Sequence, residues 1–241
     1  MSGHSHFATI KRQKGLNDAK KGKVFSKMAR DIAIAVKAAG PDPDSNYKLR
    51  LVIDKARSYN MPKVNIERAI SSGVGGEALE EITYEGFGPG GIGVIVKAAT
   101  DNKNRTSQEM KNAFERVGGS LAGPGSVSFN FENKGFILVE KNSNPEEQTL
   151  KLIDLGIEDI EETTDGIEVY VSPEKLSEIR KKIEELGFII KETELYMRPK
   201  TYQSLEDNNT KKALDFLDSL DDLDDVQSVY SNLDVSDETI N

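Results

Sequence analysis

Apolar residues recur at steps of three and four between Asp18 and Ala39, at Phe25, Met28, Ile32, Ala35, Val36 and Ala39. That spacing predicts an amphipathic helix. Lys20, Lys23, Lys27 and Arg30 keep the same spacing, more than ~120° away around the helix at 100° per residue. One helix therefore offers a buried face and a basic face, open either to solvent or to a polyanion. Gly40 and Pro41 end it. A second helix is predicted from about Asn46 to Tyr59, with Leu49, Val52, Ile53 and Ala56 inward. Pro62 opens a third, with Val64, Ile66, Ala69 and Ile70 as apolar contacts. The three make one small bundle, and its connections are longer than the tight turn of a helix-turn-helix. Ser71 to Ala78, SSGVGGEA, reads as a hinge.

Beyond the hinge the period changes. Ile82–Gly86 and the apolar run Ile92–Ala98 predict two strands around a glycine-rich turn, GFGPGG. The second strand empties into a polar loop, Asp101 to Arg105, and Thr106 with Glu109 reads as a capping box. Asp101, Asn102, Asn104 and Arg105 are candidate partner contacts, because an arginine beside a helix N-terminus suits phosphate or carboxylate. The alternative is an ordinary strand–loop–helix. Ser107–Val117 predicts a helix, Val127–Phe131 a strand with one wet face, and Asn133-Lys134-Gly135 a turn.

Residues 135–193 read as β-α-β-β-α-β, with helices opened by Pro145 and Pro173 and an Asp165-Gly166 turn between the middle strands. That order fits a ferredoxin-like unit. A strand at Glu194–Met197, a helix at Asn209–Leu220 and a strand at Val226–Tyr230 are too few to stand alone. Joined to residues 79–134, and with the first short strand counted as a lead-in, they complete a second such unit. The predicted class is α+β: a basic helical domain over 1–78, a discontinuous α/β domain over 79–134 plus 194–241, and an acidic inserted domain over 135–193, the two α/β domains being intertwined and ferredoxin-like. The acidic run Asp221, Asp222, Asp224, Asp225 lacks the glycine and closing glutamate of a calcium loop and reads as a spacer between helix and strand.

Charge changes this picture. The net charge is −9 over 241 residues, but it is segregated. Residues 1–70 hold 15 Lys and Arg against 6 Asp and Glu, a net of +9; the remaining 171 hold 17 against 35, a net of −18. A basic amino-terminal part on an acidic body is a signature of polyanion contact. The tail MSGHSHFATIKRQKGL adds Lys11, Arg12 and Lys14, with Phe7 able to stack on a base or to anchor on the helices. His4 and His6 are the only histidines, with no third ligand beside them, so the tail reads as a base or phosphate contact or as plain disorder rather than a metal site. The absence of Cys removes thiol catalysis and Cys-ligated zinc. No apolar run reaches ~18 residues, no signal-peptide core opens the chain, and a cytoplasmic setting is expected. P-loop, GxSxG and HExxH signatures are missing, so neither an enzyme nor a cofactor is expected.

The segments GHSHFATIKRQKG, DAKKGKVFSKMARDI, NMPKVNIERAI, YEGFGPGG, TDNKNRT, GGSLAGPGSVSFNF and DDVQSVY follow one another over nearly the whole length. In this the chain resembles the YebC family, which includes the mitochondrial translational activator of cytochrome oxidase. The resemblance implies a helical first domain followed by two intertwined α/β domains. It also implies a regulator of gene expression. Members are described as transcriptional regulators that bind DNA and as ribosome-associated factors in translation. Gly3, His4, Ser5, Lys11, Lys20, Lys23, Lys27, Asp101, Asn102, Asn104, Arg105 and Thr106 match the family pattern. Phe7 stands where an indole is usual, and Ser231 where a histidine is frequent. The expected partner is nucleic acid, either DNA or ribosomal RNA on the ribosome. A scaffold that binds no nucleic acid is the alternative from another class. No strong dimerisation stripe is visible; the oligomeric state stays open, with a monomer slightly favoured.

Overall fold

The structure, a computed structural model, describes residues 21–76 and 79–235. They form two compact units, one of residues 21–76 and 79–130 with 201–233 and one of residues 131–200 with 234–235.

The first unit begins with α1 (Lys21–Ala39), α2 (Tyr47–Ser58) and α3 (Lys63–Gly75). Met28, Ile32, Ala35 and Val36 of α1 meet Leu49, Ile53 and Ala56 of α2 and Ile66 and Ala69 of α3 in one buried cluster. Asn46, 2 % exposed, locks the α1–α2 corner. Its Nδ2 donates to the Ala35 and Gly40 carbonyls at 2.7 Å, and its Oδ1 caps α2 by accepting from Leu49 N at 3.0 Å. The expected hinge is helical through Gly75. Gly73 lies so close to α1 that a Cβ there would stand 2.8 Å from the Ala33 carbonyl oxygen. Tight packing therefore decides this stretch over its flexible composition.

β1 (Glu80–Phe87) and β2 (Gly93–Thr100) form an antiparallel hairpin. Next come α4 (Lys103–Arg116) and β3 (Ser120–Ala122), which pairs with β1. Thr106 is not the cap of α4. Asn102 caps it, its Oδ1 accepting from Arg105 N at 3.2 Å, so the expected polar loop is mostly the first helical turn. The strand expected at Val127–Phe131 is instead a loop with a short 3-10 turn at Ser128–Asn130. Its cause is remote in sequence. Glu85 of β1, 7 % exposed, accepts from the backbone N–H groups of Gly125, Val127 and Ser128 at 2.8, 2.8 and 2.9 Å. These bonds hold its carboxyl below the usual range against the upward pull of burial.

The second unit is a four-stranded antiparallel sheet of β4 (Phe131–Val139), β5 (Asp159–Glu162), β6 (Ile167–Val171) and β7 (Ile190–Pro199), in the order β5-β6-β4-β7. Helices α5 (Pro145–Ile153) and α6 (Leu176–Glu185) complete a β-α-β-β-α-β sequence. The turn expected at Asn133–Gly135 lies inside β4, because β7 pairs with all of β4 from Phe131 to Val139. For the same reason the segments expected as separate strands at Phe188–Lys191 and Glu194–Met197 fall largely in one strand. Gly135 is required here by contact: a Cβ would meet that of Leu176 at 2.8 Å.

The chain then returns to the first unit with α7 (Asp207–Asp221) and β8 (Val226–Ser231). β8 pairs with β2 and gives the sheet order β3-β1-β2-β8. Phe114 of α4 and Phe216 of α7 meet edge to face at 5.0 Å under this sheet. The architecture is α+β, with helices first and sheet domains after. No described helix is long and apolar enough to cross a membrane.

Candidate nucleic-acid interface

His4, Phe7, Lys11, Arg12, Lys14 and Lys20 lie outside the described residues. The described part of the α1 stripe does not face open solvent alone. It meets the segment between α7 and β8. Lys23 Nζ donates to the Asp222 carbonyl at 2.6 Å and lies 3.6 Å from Asp224 Oδ1. Lys27 donates to the Asp221 carbonyl, and its Nζ lies 3.2 Å from Asp221 Oδ1. Arg30 donates to the Asp224 carbonyl and pairs with Asp225 Oδ1 at 3.2 Å. The last carbonyls of a helix have no partner within it and carry the negative end of its dipole. Two lysines of α1 thus supply donors that α7 lacks. Side-chain exposure falls from 48 % at Lys23 to 11 % at Lys27, with Arg30 at 30 %.

The acidic run is therefore a ligand for cations from two directions. Asp225, with its side chain 4 % exposed, also receives Arg105 Nη2 at 2.8 Å, Thr106 Oγ1 at 2.7 Å and Thr100 Oγ1 at 3.2 Å. Burial alone would raise its carboxyl, but the bonds from Arg105, Thr106 and Thr100 outweigh that and hold it below the ordinary range. Arg105 is pushed up by the same carboxylate and by Asp101, 3.0 Å away. Of the predicted contact residues, Arg105 thus sits in a side-chain network with Asp101. Asn102 caps α4, and Asp101, Asn102 and Asn104 stay exposed on its first turn.

Asp225 and Thr100 were missed by sequence reasoning. The signal for Asp225 was the DDLDD run, whose partners, Thr100 among them, lie more than a hundred residues upstream. A second missed group is Asp31, half-buried on α1. With its amide nitrogen turned toward α1, Gln227 donates to Asp31 Oδ1 at 2.9 Å and to the Lys27 carbonyl at 3.1 Å. Burial pushes the Asp31 carboxyl up to about 7, against the attraction of Lys55, Lys48 and Lys27. Elsewhere on the helical domain Arg57, Lys63 and Arg68 are exposed. A groove between α4 and α7 is lined by Glu109, Arg116, Lys212 and Asp215, two charges of each sign, and so does not single out an anion. Among the described residues no group of His, Cys, Asp or Glu could hold a metal ion.

Known proteins match this chain along its length. The family described as TACO1/YebC protein N-terminal domain matches residues 5–76, and TACO1/YebC second and third domain matches residues 79–233. A relative from Dictyoglomus thermophilum, named "Probable transcriptional regulatory protein", is 44 % identical and aligns over 100 % of this chain and 98 % of its own. A relative of the same name from Thermotoga petrophila is 45 % identical over 99 % of this chain and 96 % of its own. The crystal structure of a conserved hypothetical protein from Aquifex aeolicus superposes with a TM-score of 0.83 at 40 % identity, covering 90 % of this chain and 91 % of that one. From its helical domain to the final strand, the chain belongs to the TACO1/YebC family.

Proposed function

We propose that this chain is a cytoplasmic, nucleic-acid-binding regulator of gene expression that engages DNA through its basic amino-terminal domain. The observation that carries this reading is the charge partition, +9 over residues 1–70 against −18 over the rest. Counterion release from phosphates would supply most of the affinity, and the acidic remainder would limit indiscriminate binding. The names of the relatives support a transcriptional role. In this reading His4, Phe7, Lys11, Arg12 and Lys14 act with Lys20, Lys23, Lys27 and Arg30, and Asp101, Asn102, Asn104 and Arg105 form a second contact. The inserted α/β domain is read as ferredoxin-like, a reading that its strand order β5-β6-β4-β7 supports.

Ribosomal RNA is the second reading, favoured by the composition of residues 1–16. Their cations, one aromatic and few apolar residues suit a segment that orders on irregular RNA. The test is crosslinking in growing cells, followed by sequencing of the attached DNA and RNA. Enrichment at a set of promoters supports the first reading. Ribosomal RNA crosslinks that vanish when residues 1–16 are deleted support the second. Neither polymer above background overturns both and leaves a scaffold role.

A further inference from the structure

We propose that the end of α7 and the Asp221–Asp225 segment are an internal competitor for nucleic acid, occupying the phosphate-binding face of α1 until a polyanion displaces them. The proposal rests on the reading of the amino-terminal domain as nucleic-acid-binding and names how one face of it is regulated.

Three observations carry it. The first is the chemistry of the occupant. Lys23, Lys27 and Arg30 each meet one backbone carbonyl oxygen and one carboxylate oxygen of this segment. Such a pair of anionic or partly negative oxygens stands in for two oxygens of a phosphate. The outer two cations lie seven residues apart along the helix, ~10.5 Å at 1.5 Å per residue. That is about the rise of three nucleotides along one strand.

The second observation is the composition of α7. Asp215, Asp218 and Asp221 run toward its carboxyl end, Asp222 caps it, and its last turn holds no basic residue. Carboxylates at the negative end of a helix dipole oppose helix formation. A segment that breaks a local rule in this way is expected to serve something besides its own stability. Here the excess negative potential is spent on the cations of α1.

The third is how the contact is graded. Lys23 and Asp224 are 48 % and 74 % exposed, so their pair is weak and screened by salt. Asp225, at the inner end, keeps Thr100, Arg105 and Thr106 whether or not Arg30 stays. α1 can therefore release the segment without dismantling the sheet domain beneath it. The apparent affinity is then the intrinsic affinity reduced by the fraction of molecules in which the face is free. Added salt weakens phosphate contacts and the internal pairs together, so the wild type shows a shallower salt dependence than the released face.

The test uses the full chain and a fluorescent DNA duplex and RNA hairpin, read by anisotropy across a salt series. Asp221→Asn with Asp224→Asn loosens the segment and leaves Asp225 in place. Glu146→Gln with Glu174→Gln, in the inserted domain, makes the same change of net charge. The first variant is expected to bind between about two- and thirty-fold tighter than wild type, the range two partly exposed pairs supply. Its salt slope should steepen by up to roughly 0.9 per freed cation on the duplex, while the control stays near wild type. Equal affinity of the first variant and wild type, with Lys23→Gln, Lys27→Gln and Arg30→Gln together weakening binding, overturns the competitor and leaves the nucleic-acid reading standing. Absence of binding by every variant overturns both. Hydrogen exchange on the wild type gives a check independent of substitutions. Saturating nucleic acid should speed amide exchange over residues 221–226, and unchanged or slower exchange overturns the proposal.

Discussion

Replacing Asp225 by alanine tests whether the acidic run is structural at its inner end. The side chain is 4 % exposed and takes donors from Thr100, Arg105 and Thr106 and an ion pair from Arg30. Removal strands two buried hydroxyls and leaves two guanidinium groups without their shared carboxylate. Thr106 Oγ1 lies 3.2 Å from the Asn102 carbonyl and 2.8 Å from Thr100 Oγ1, so part of the loss is recovered by turning a hydroxyl. Two charge-assisted bonds from buried hydroxyls, at about 1.5 kcal/mol each, set the expected loss near 3 kcal/mol. Urea unfolding followed by circular dichroism measures it, with the slope against urea checked for constancy. Arg105→Ala should lower stability by less, because Asp225 then keeps Thr100, Thr106 and Arg30. The pH dependence has a definite sign. A carboxyl held below its unfolded value stabilises the fold above the ordinary carboxylate range, and that contribution is lost as pH falls through the folded value. The wild type should therefore lose more stability than Asp225→Ala on acidification. A loss under about 1 kcal/mol for Asp225→Ala at neutral pH would refute this network as a structural element.

Glu85→Gln should cost about 2–4 kcal/mol, since one of the oxygens accepting from Gly125, Val127 and Ser128 becomes a donor; hydrogen exchange should then quicken over residues 123–130 and leave 131–200 unaltered. Asp31 runs the opposite way from Asp225. Its carboxyl is raised from 3.8 to about 7, so the fold binds a proton more tightly than the unfolded chain and loses stability as pH rises through that window. Asp31→Asn should stabilise the protein at pH 8 by roughly 1–2 kcal/mol, discounted for its half-buried position, and by progressively less toward pH 4. Thermal melts at the two pH values decide it.

The three amino-terminal helices were legible because each is half buried and writes its inward face at a 3.6-residue period. Leu49, Ile53 and Ala56 were found that way and are all in the core. β2 was legible as an apolar run broken only by Lys97, and seven of its eight residues are buried. What was not legible depends on partners far along the chain. The VSFNF alternation suggests a strand, but Glu85 takes the N–H groups that a ladder would have used. Asn133-Lys134-Gly135 has turn composition, yet β7 pairs straight across it. At the candidate interface the cation spacing on α1 was plain from sequence. Its occupant was not, because local pattern carries no information about a carboxylate 194 residues away from Lys27.

The position of β8 has a consequence for how the chain is made. β2 lies inside its sheet only because β8 covers one of its edges. Synthesis delivers β2 before β8, with the whole of residues 131–200 between them. At ~5–20 residues per second, that interval is on the order of ten seconds. Throughout it a strand rich in Val and Ile presents unpaired backbone groups to its neighbours, the condition under which nascent chains pair with one another. A message truncated before Val226 never ends that exposure. Its product would enter inclusion bodies even though every helix of the amino-terminal domain can form.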